Sequence, residues 1–114
     1  MEQWAEKFQE LKSEYISGAG ERFRQIACFL DQLDREPSDN KALKNLRRYF
    51  YGLSGTGATY GFPQVTVLGF QGENECEALL KKNLSPKSCD LERWRNYLLA
   101  IKEEFFKVGS YSKS

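Results

Sequence analysis

The side chains able to do chemistry in this sequence are few, and one absence narrows them further. The chain has 114 residues and no histidine, so it offers no imidazole to carry a phosphoryl group, act as a general base or ligate a metal. The most pointed constellation surrounds Tyr51. Arg47 and Arg48 stand one helical turn before it, and Ser54 and Gly55 lie three and four residues after it. These are the spacings that bring helical side chains onto a shared face. If Phe50 and Leu53 face a core, Tyr51, Arg47 and Ser54 face outward. Tyr51 then stands proud of a floor of small side chains, flanked by positive charge, where a partner can reach the tip of its ring. The arrangement suits binding better than attack. A tyrosine hydroxyl has a pKa of about 10 and is almost wholly protonated at neutral pH, and no base is evident near it.

The remaining reactive groups give no second constellation. Cys28, Cys76 and Cys89 are widely spaced and form no Cys-x-x-Cys pair. Without histidine, a tetrahedral zinc site would need a carboxylate as fourth ligand. The thiols therefore read as small core or boundary residues, reduced in the cytoplasm. The pairs Glu73/Glu77 and Glu103/Glu104 read as solvated helix faces. There is no Gly-x-x-x-x-Gly-Lys loop and no histidine-paired nucleophile. The expectation is a protein that is not an enzyme, with no cofactor and no metal.

Composition points the same way. Hydrophobic residues make up 40% and aromatic residues 14%, enough to build a core. The formal net charge is +1, with both signs interleaved, which gives no basic patch for nucleic acid and no electrostatic anchor for a membrane. The longest apolar runs are far too short to span a bilayer. The start, Met1-Glu2-Gln3-Trp4, is charged and amphipathic rather than leader-like. These features predict a soluble cytoplasmic domain.

Helices must position Tyr51, because apolar residues recur at intervals of three and four through nearly the whole chain. Trp4, Phe8, Leu11 and Tyr15 form a first stripe, whose helix is expected to end near Gly18. Phe23, Ile26, Leu30 and Leu33 form a second. Pro37-Ser38-Asp39 breaks that helix, with Ser38 or Asp39 capping the next. The third stripe is Leu43, Leu46, Phe50, Leu53 and Gly57, closed by a Gly-Phe-Pro turn at 61–63. Val65, Leu68, Gly72, Cys76 and Leu79 make the fourth; its β-branched beginning is weakly strand-like, but Pro63 and the pattern that follows favour helix. After Asn83-Leu84-Ser85-Pro86, Ser88 or Asp90 caps a fifth helix bearing Leu91, Trp94, Leu98, Ile101 and Phe105. The predicted fold is all-α: an antiparallel four-helix bundle with an additional N-terminal helix. It fills residues 1–108 as a single domain, and 109–114 form a frayed tail or linker.

The third of these helices is unusual. It holds Gly52, Gly55 and Gly57, with Gly61 at its end, and each interior glycine costs about 1 kcal/mol relative to alanine. Two reasons suggest themselves. Gly57 and Gly61 would let helices approach closely, matched by Gly69 and Gly72 on the next helix. The small residues would also keep access to Tyr51 open.

The run Leu46-Arg47-Arg48-Tyr49-Phe50-Tyr51-Gly52-Leu53-Ser54-Gly55-Thr56-Gly57-Ala58-Thr59-Tyr60-Gly61-Phe62-Pro63 resembles the signature of histidine-phosphotransfer (HPt) domains of bacterial two-component systems. One branch of that family reads roughly Leu-x-Arg-x-x-His-x-Leu-x-Gly-Ser-Gly-Ala-Thr-Phe-Gly-Phe-Pro. The resemblance implies a helical bundle, and it places the family's phosphorylated histidine at Tyr51. The family's following leucine falls on Leu53 and its small residues on Gly55, Thr56, Gly57 and Ala58. The lysine many members carry is replaced by Ser54, and a position often basic or polar on the next helix is Phe70. Such domains exchange a phosphoryl group with the aspartate of a receiver domain. Imidazole is nucleophilic at neutral pH and leaves readily; a tyrosyl phosphate is a poor donor. The resemblance therefore implies a histidine-less module of phosphorelay signalling. It would bind a receiver domain or a histidine kinase without phosphotransfer, through Arg47, Arg48, the edge of Phe50, Tyr51, Ser54, Gly55 and Phe70. A second reading is a structural, regulatory or dimerisation domain of a larger signalling protein. A third keeps transfer, with Tyr51 as acceptor. The sequence does not indicate an oligomeric state.

Overall fold

Glycine does not end the first helix. In the computed structural model, which describes the backbone of residues 2–112 and the side chains of 5–14 and 17–105, α1 runs unbroken from Glu2–Arg35. The expected break near Gly18 does not occur. Ala19, between the two glycines, is buried, and with Phe23, Ile26, Leu30 and Leu33 it extends one continuous apolar stripe. Burial of that stripe offsets the propensity cost of Gly18 and Gly20. The separate N-terminal helix is thus the first half of α1. Its stripe is only partly covered, since Phe8 and Leu11 are each 42% exposed. The side chains of Trp4 and Tyr15 lie outside the described residues.

Three further helices follow: α2 Asn40–Tyr60, α3 Pro63–Lys82 and α4 Ser88–Ser112. The chain is an all-α antiparallel four-helix bundle. Each helix packs against its neighbours in sequence, and α1 closes the ring against α4. The segment expected as a tail begins inside α4, with its side chains outside the described residues. At 34 residues, α1 is about 51 Å long, against about 31 Å for α2. Its N-terminal part therefore reaches past the end of α2, where Phe8 meets Tyr60 at 5.9 Å between ring centroids and the Lys12 ammonium sits 5.5 Å from the Phe62 ring.

The connections follow local chemistry. Asp39, rather than Ser38, caps α2, its carboxylate accepting the Ala42 N–H at 3.1 Å. α2 stops at Gly61, whose φ of 82° is left-handed and whose N–H reaches the Gly57 carbonyl. Phe62 then turns into the core, and Pro63 opens α3 with a φ already suited to helix. Asn83 ends α3 in the same left-handed conformation. At the start of α4, Asp90 reaches back to accept the Lys87 N–H at 2.8 Å, one half of a capping box.

Ile26, Leu30, Leu33, Leu43, Leu46, Phe50, Leu53, Val65, Cys76, Trp94 and Ile101 are fully buried along the axis. Arg95 on α4 ties to Asp31 and Asp34 on α1 at 3.2 and 3.4 Å, exposed pairs of small energetic weight. Among the described residues, no helix is long and apolar enough to cross a membrane.

Candidate functional site

Tyr51 occupies the middle of α2 and is 61% exposed. Its neighbours dictate this. Phe50 and Leu53 are wholly buried, and a step of about 100° per residue turns Tyr51 to the surface. Gly52 and Gly55 flank it with open space above them, since a Cβ on either would meet nothing within 4 Å. The shallow floor expected from the sequence is therefore present, built from these two glycines.

The other glycines serve the second purpose. A Cβ on Gly69 would lie 2.8 Å from both the Phe50 carbonyl oxygen and the Ser54 nitrogen. One on Gly72 would lie 2.6 Å from the Phe50 ring, and one on Gly57 2.9 Å from Thr66 Oγ1. α2 and α3 thus pack backbone to backbone through Gly57, Gly69 and Gly72. Gly61 does not join this seam; it supplies the left-handed cap.

Close packing revises two of the expected site residues and engages a third. Phe50 is wholly buried against Gly72 and offers no edge to a partner. Ser54 is covered by α3, and its hydroxyl donates to the Tyr51 carbonyl at 2.8 Å, so it supports the turn beneath Tyr51 without facing outward. Arg47 is drawn across the seam to Glu73, with Nη1 and Oε1 3.4 Å apart. Glu73 is only 8% exposed, so it belongs to the α2–α3 seam and not to a solvated face. Glu77 does lie on the surface of α3, paired with Lys81 at 3.5 Å. Arg48 diverges from Arg47. It lines an open groove of about 290 Å³ between α1 and α2, together with Arg22, Tyr49, Gly52, Leu53 and Thr56.

Gly55 is exposed on α2, and Phe70 is 54% exposed on α3, one residue after Gly69 of the seam. Val67, one turn earlier on α3, is 49% exposed. Its spacing of three from Phe70, on the side of α3 opposite Val65, Gly69 and Gly72, is the signal that marks it. A second signal is charge: no Asp, Glu, Lys or Arg occurs between Arg48 and Glu73, although charged residues are 29% of the chain. The segment 49–72 is uncharged, with Arg48 one turn before Tyr51 and Glu73 one turn after Phe70.

The most connected polar cluster lies elsewhere, between α3 and α4. Tyr97 donates to Glu75 Oε2 at 2.8 Å, and Arg93 bridges Glu75 and Asp90, the latter at 2.8 Å. Desolvation, reinforced by the hydrogen bond to Glu75, raises the Tyr97 hydroxyl above its usual pKa. Burial works to raise the Asp90 carboxyl, but the Lys87 N–H and the Arg93 guanidinium outweigh it and hold the group below the usual range. Burial pushes the Cys76 thiol well above the reactive range. The cluster braces two helices. Among the described residues, no group of His, Cys, Asp and Glu is placed to hold a metal ion.

No family model, curated protein or solved structure matches the chain.

Proposed function

We propose that this chain is a binding module of two-component signalling. It docks a receiver domain on the α2–α3 face around Tyr51 and does not exchange phosphate with it. One observation carries the reading. The eighteen-residue run 46–63, which resembles the HPt signature, presents at the phosphoacceptor position an exposed ring over open glycines. The nucleophile is replaced while its surroundings keep a partner's path to residue 51 clear.

The physical support is as follows. Tyr51 and Phe70 are large and exposed, on the two helices joined by the glycine seam. Such aromatic groups on a preorganised surface are the usual anchors of a protein interface. Transfer is disfavoured because the chain has no histidine to serve as a base and a phenol at neutral pH is a weak nucleophile. The module is accordingly not an enzyme, and it works in the cytoplasm, where receiver domains are found. Titration of the labelled protein with receiver domains from the same genome, followed by NMR, is the test. Shifts centred on Tyr51, Gly55, Val67 and Phe70 are expected; a set of receivers that leaves those signals unmoved overturns the reading.

The half-exposed Phe8 and Leu11 on the overhanging part of α1 favour a second reading, a dimerisation element within a larger signalling protein. Sedimentation of the wild type and Phe8→Ser separates the two, since only this reading expects a wild-type dimer that the substitution dissociates.

A further inference from the structure

The open groove between α1 and α2 carries charge of one sign. Its lining, around a volume of about 290 Å³, draws Arg22 from α1 and Arg48 from α2, with Tyr49, Gly52, Leu53 and Thr56, and includes no carboxylate. The sequence around it supplies none either. Between Arg22 and Leu30 on α1, and throughout α2, the charged residues are Arg22, Arg24, Lys41, Lys44, Arg47 and Arg48, all cationic. Arg24 is balanced by Glu21 and Arg47 by Glu73. Arg48 is exposed and makes no ion pair among the described residues.

We propose that this groove binds a small phosphate monoester, independently of the docking reading above. Two guanidinium-bearing residues, one from each helix, match the roughly −1.5 to −2 charge of such a group at neutral pH. A carboxylate would balance only one of them. The planar fork of arginine also suits an oxyanion better than an ammonium does. The rest of the lining suits an organic body. The Tyr49 ring is held against Phe29 at 5.5 Å between centroids and forms a fixed wall beside Leu53. Gly52 leaves room, since a Cβ there meets nothing within 4 Å. The Thr56 hydroxyl already donates to the Gly52 carbonyl at 2.9 Å, which leaves the arginines as the charged donors. The volume lies at the lower end of ligand pockets, which begin at about 300 Å³. It has room for one phosphoryl group on a small body and not for a longer polyanion.

The test is NMR titration of the full labelled chain with phenyl phosphate, inorganic phosphate and benzoate, at neutral pH and constant ionic strength. Phenyl phosphate should give saturable shifts at Arg48, Tyr49, Gly52 and Thr56. It should bind severalfold tighter than inorganic phosphate and at least tenfold tighter than benzoate. Arg48→Gln, at an exposed position, should weaken it tenfold or more, and Arg48→Lys less. Gly52→Leu, also exposed, places a side chain in the groove and should abolish the shifts. A phosphoserine peptide that binds tighter than phenyl phosphate assigns the natural group to a protein side chain; weaker binding assigns it to a free small phosphate. Shifts that grow without saturating, benzoate bound as tightly as phenyl phosphate, or saturation that survives both Arg48→Gln and Gly52→Leu each overturn the inference. Each of those results leaves receiver docking at Tyr51 standing.

Discussion

The Phe50 ring occupies the space that a side chain on Gly72 would need, with a Cβ there only 2.6 Å from the ring. Neither residue can change alone. Gly72→Ala overpacks a ring that is wholly buried and has nowhere to move, and overpacking of this kind costs about 1–3 kcal/mol. Gly55, two turns after Arg48 on α2, makes the contrast, because a Cβ there meets nothing. Gly55→Ala should stabilise the bundle by about 1 kcal/mol through helix propensity alone. Urea denaturation of both variants checks the pair of signs. If the floor beneath Tyr51 serves access, Gly55→Ala should also bind its receiver more weakly than wild type while being the more stable protein.

Tyr51 and Phe50 are adjacent in sequence and opposite in role. Tyr51→Ala and Phe70→Ala remove exposed rings, so stability should stay within about 0.5 kcal/mol of wild type. Receiver affinity should fall tenfold or more for each, as anchor residues do. Phe50→Ala empties the centre of the core and should cost about 3–5 kcal/mol. Any binding it loses should track the fraction unfolded. Circular dichroism melts run beside calorimetry separate the two behaviours.

The same residues show how far the sequence could be read. Apolar spacing located α2, α3 and α4 and nearly all of the core, because burial of a stripe is a one-dimensional signal. It failed at Gly18 and Gly20, where propensity argued for a break. Ala19, buried between them, kept the stripe continuous, and tertiary burial decided the outcome. At the candidate site, position along the helix turned Tyr51 outward, as found. It misjudged Ser54 and Glu73 because both lie at the edge of the α2–α3 seam. How deep that edge is buried depends on how closely the partner helix comes. Gly57, Gly69 and Gly72 set that distance, and their effect is legible only once the two helices are placed face to face.

Stability should also respond to acid through Asp90. Its carboxyl titrates below the usual range in the folded protein, where the Lys87 N–H and Arg93 outweigh the opposing effect of burial. The unfolded chain therefore binds the proton more readily than the folded one. The stabilisation is complete above the unfolded value of about 3.9 and is lost as pH falls through the lower folded value. Asp90→Asn should flatten the stability profile below about pH 4 relative to wild type and weaken the start of α4 at neutral pH. Urea midpoints measured from pH 6 down to pH 3 follow both effects.

Placing an imidazole at residue 51 tests the proposed phosphotransfer likeness directly. The side chain is exposed, so Tyr51→His should leave the fold intact, with a melting curve close to wild type. An imidazole is nucleophilic at neutral pH, yet a receiver's phosphoryl group would still approach a surface where Arg47 is paired with Glu73. Tyr51→His alone should therefore accept label from a phosphorylated receiver slowly. Adding Glu73→Gln frees Arg47 to stabilise the charge that builds during transfer, and the double variant should label at least tenfold faster than the single one. Equal rates would show that the Arg47–Glu73 pair is not what limits the surface. Rapid labelling of Tyr51→His by itself would show that one side chain is all that keeps this surface from accepting a phosphoryl group.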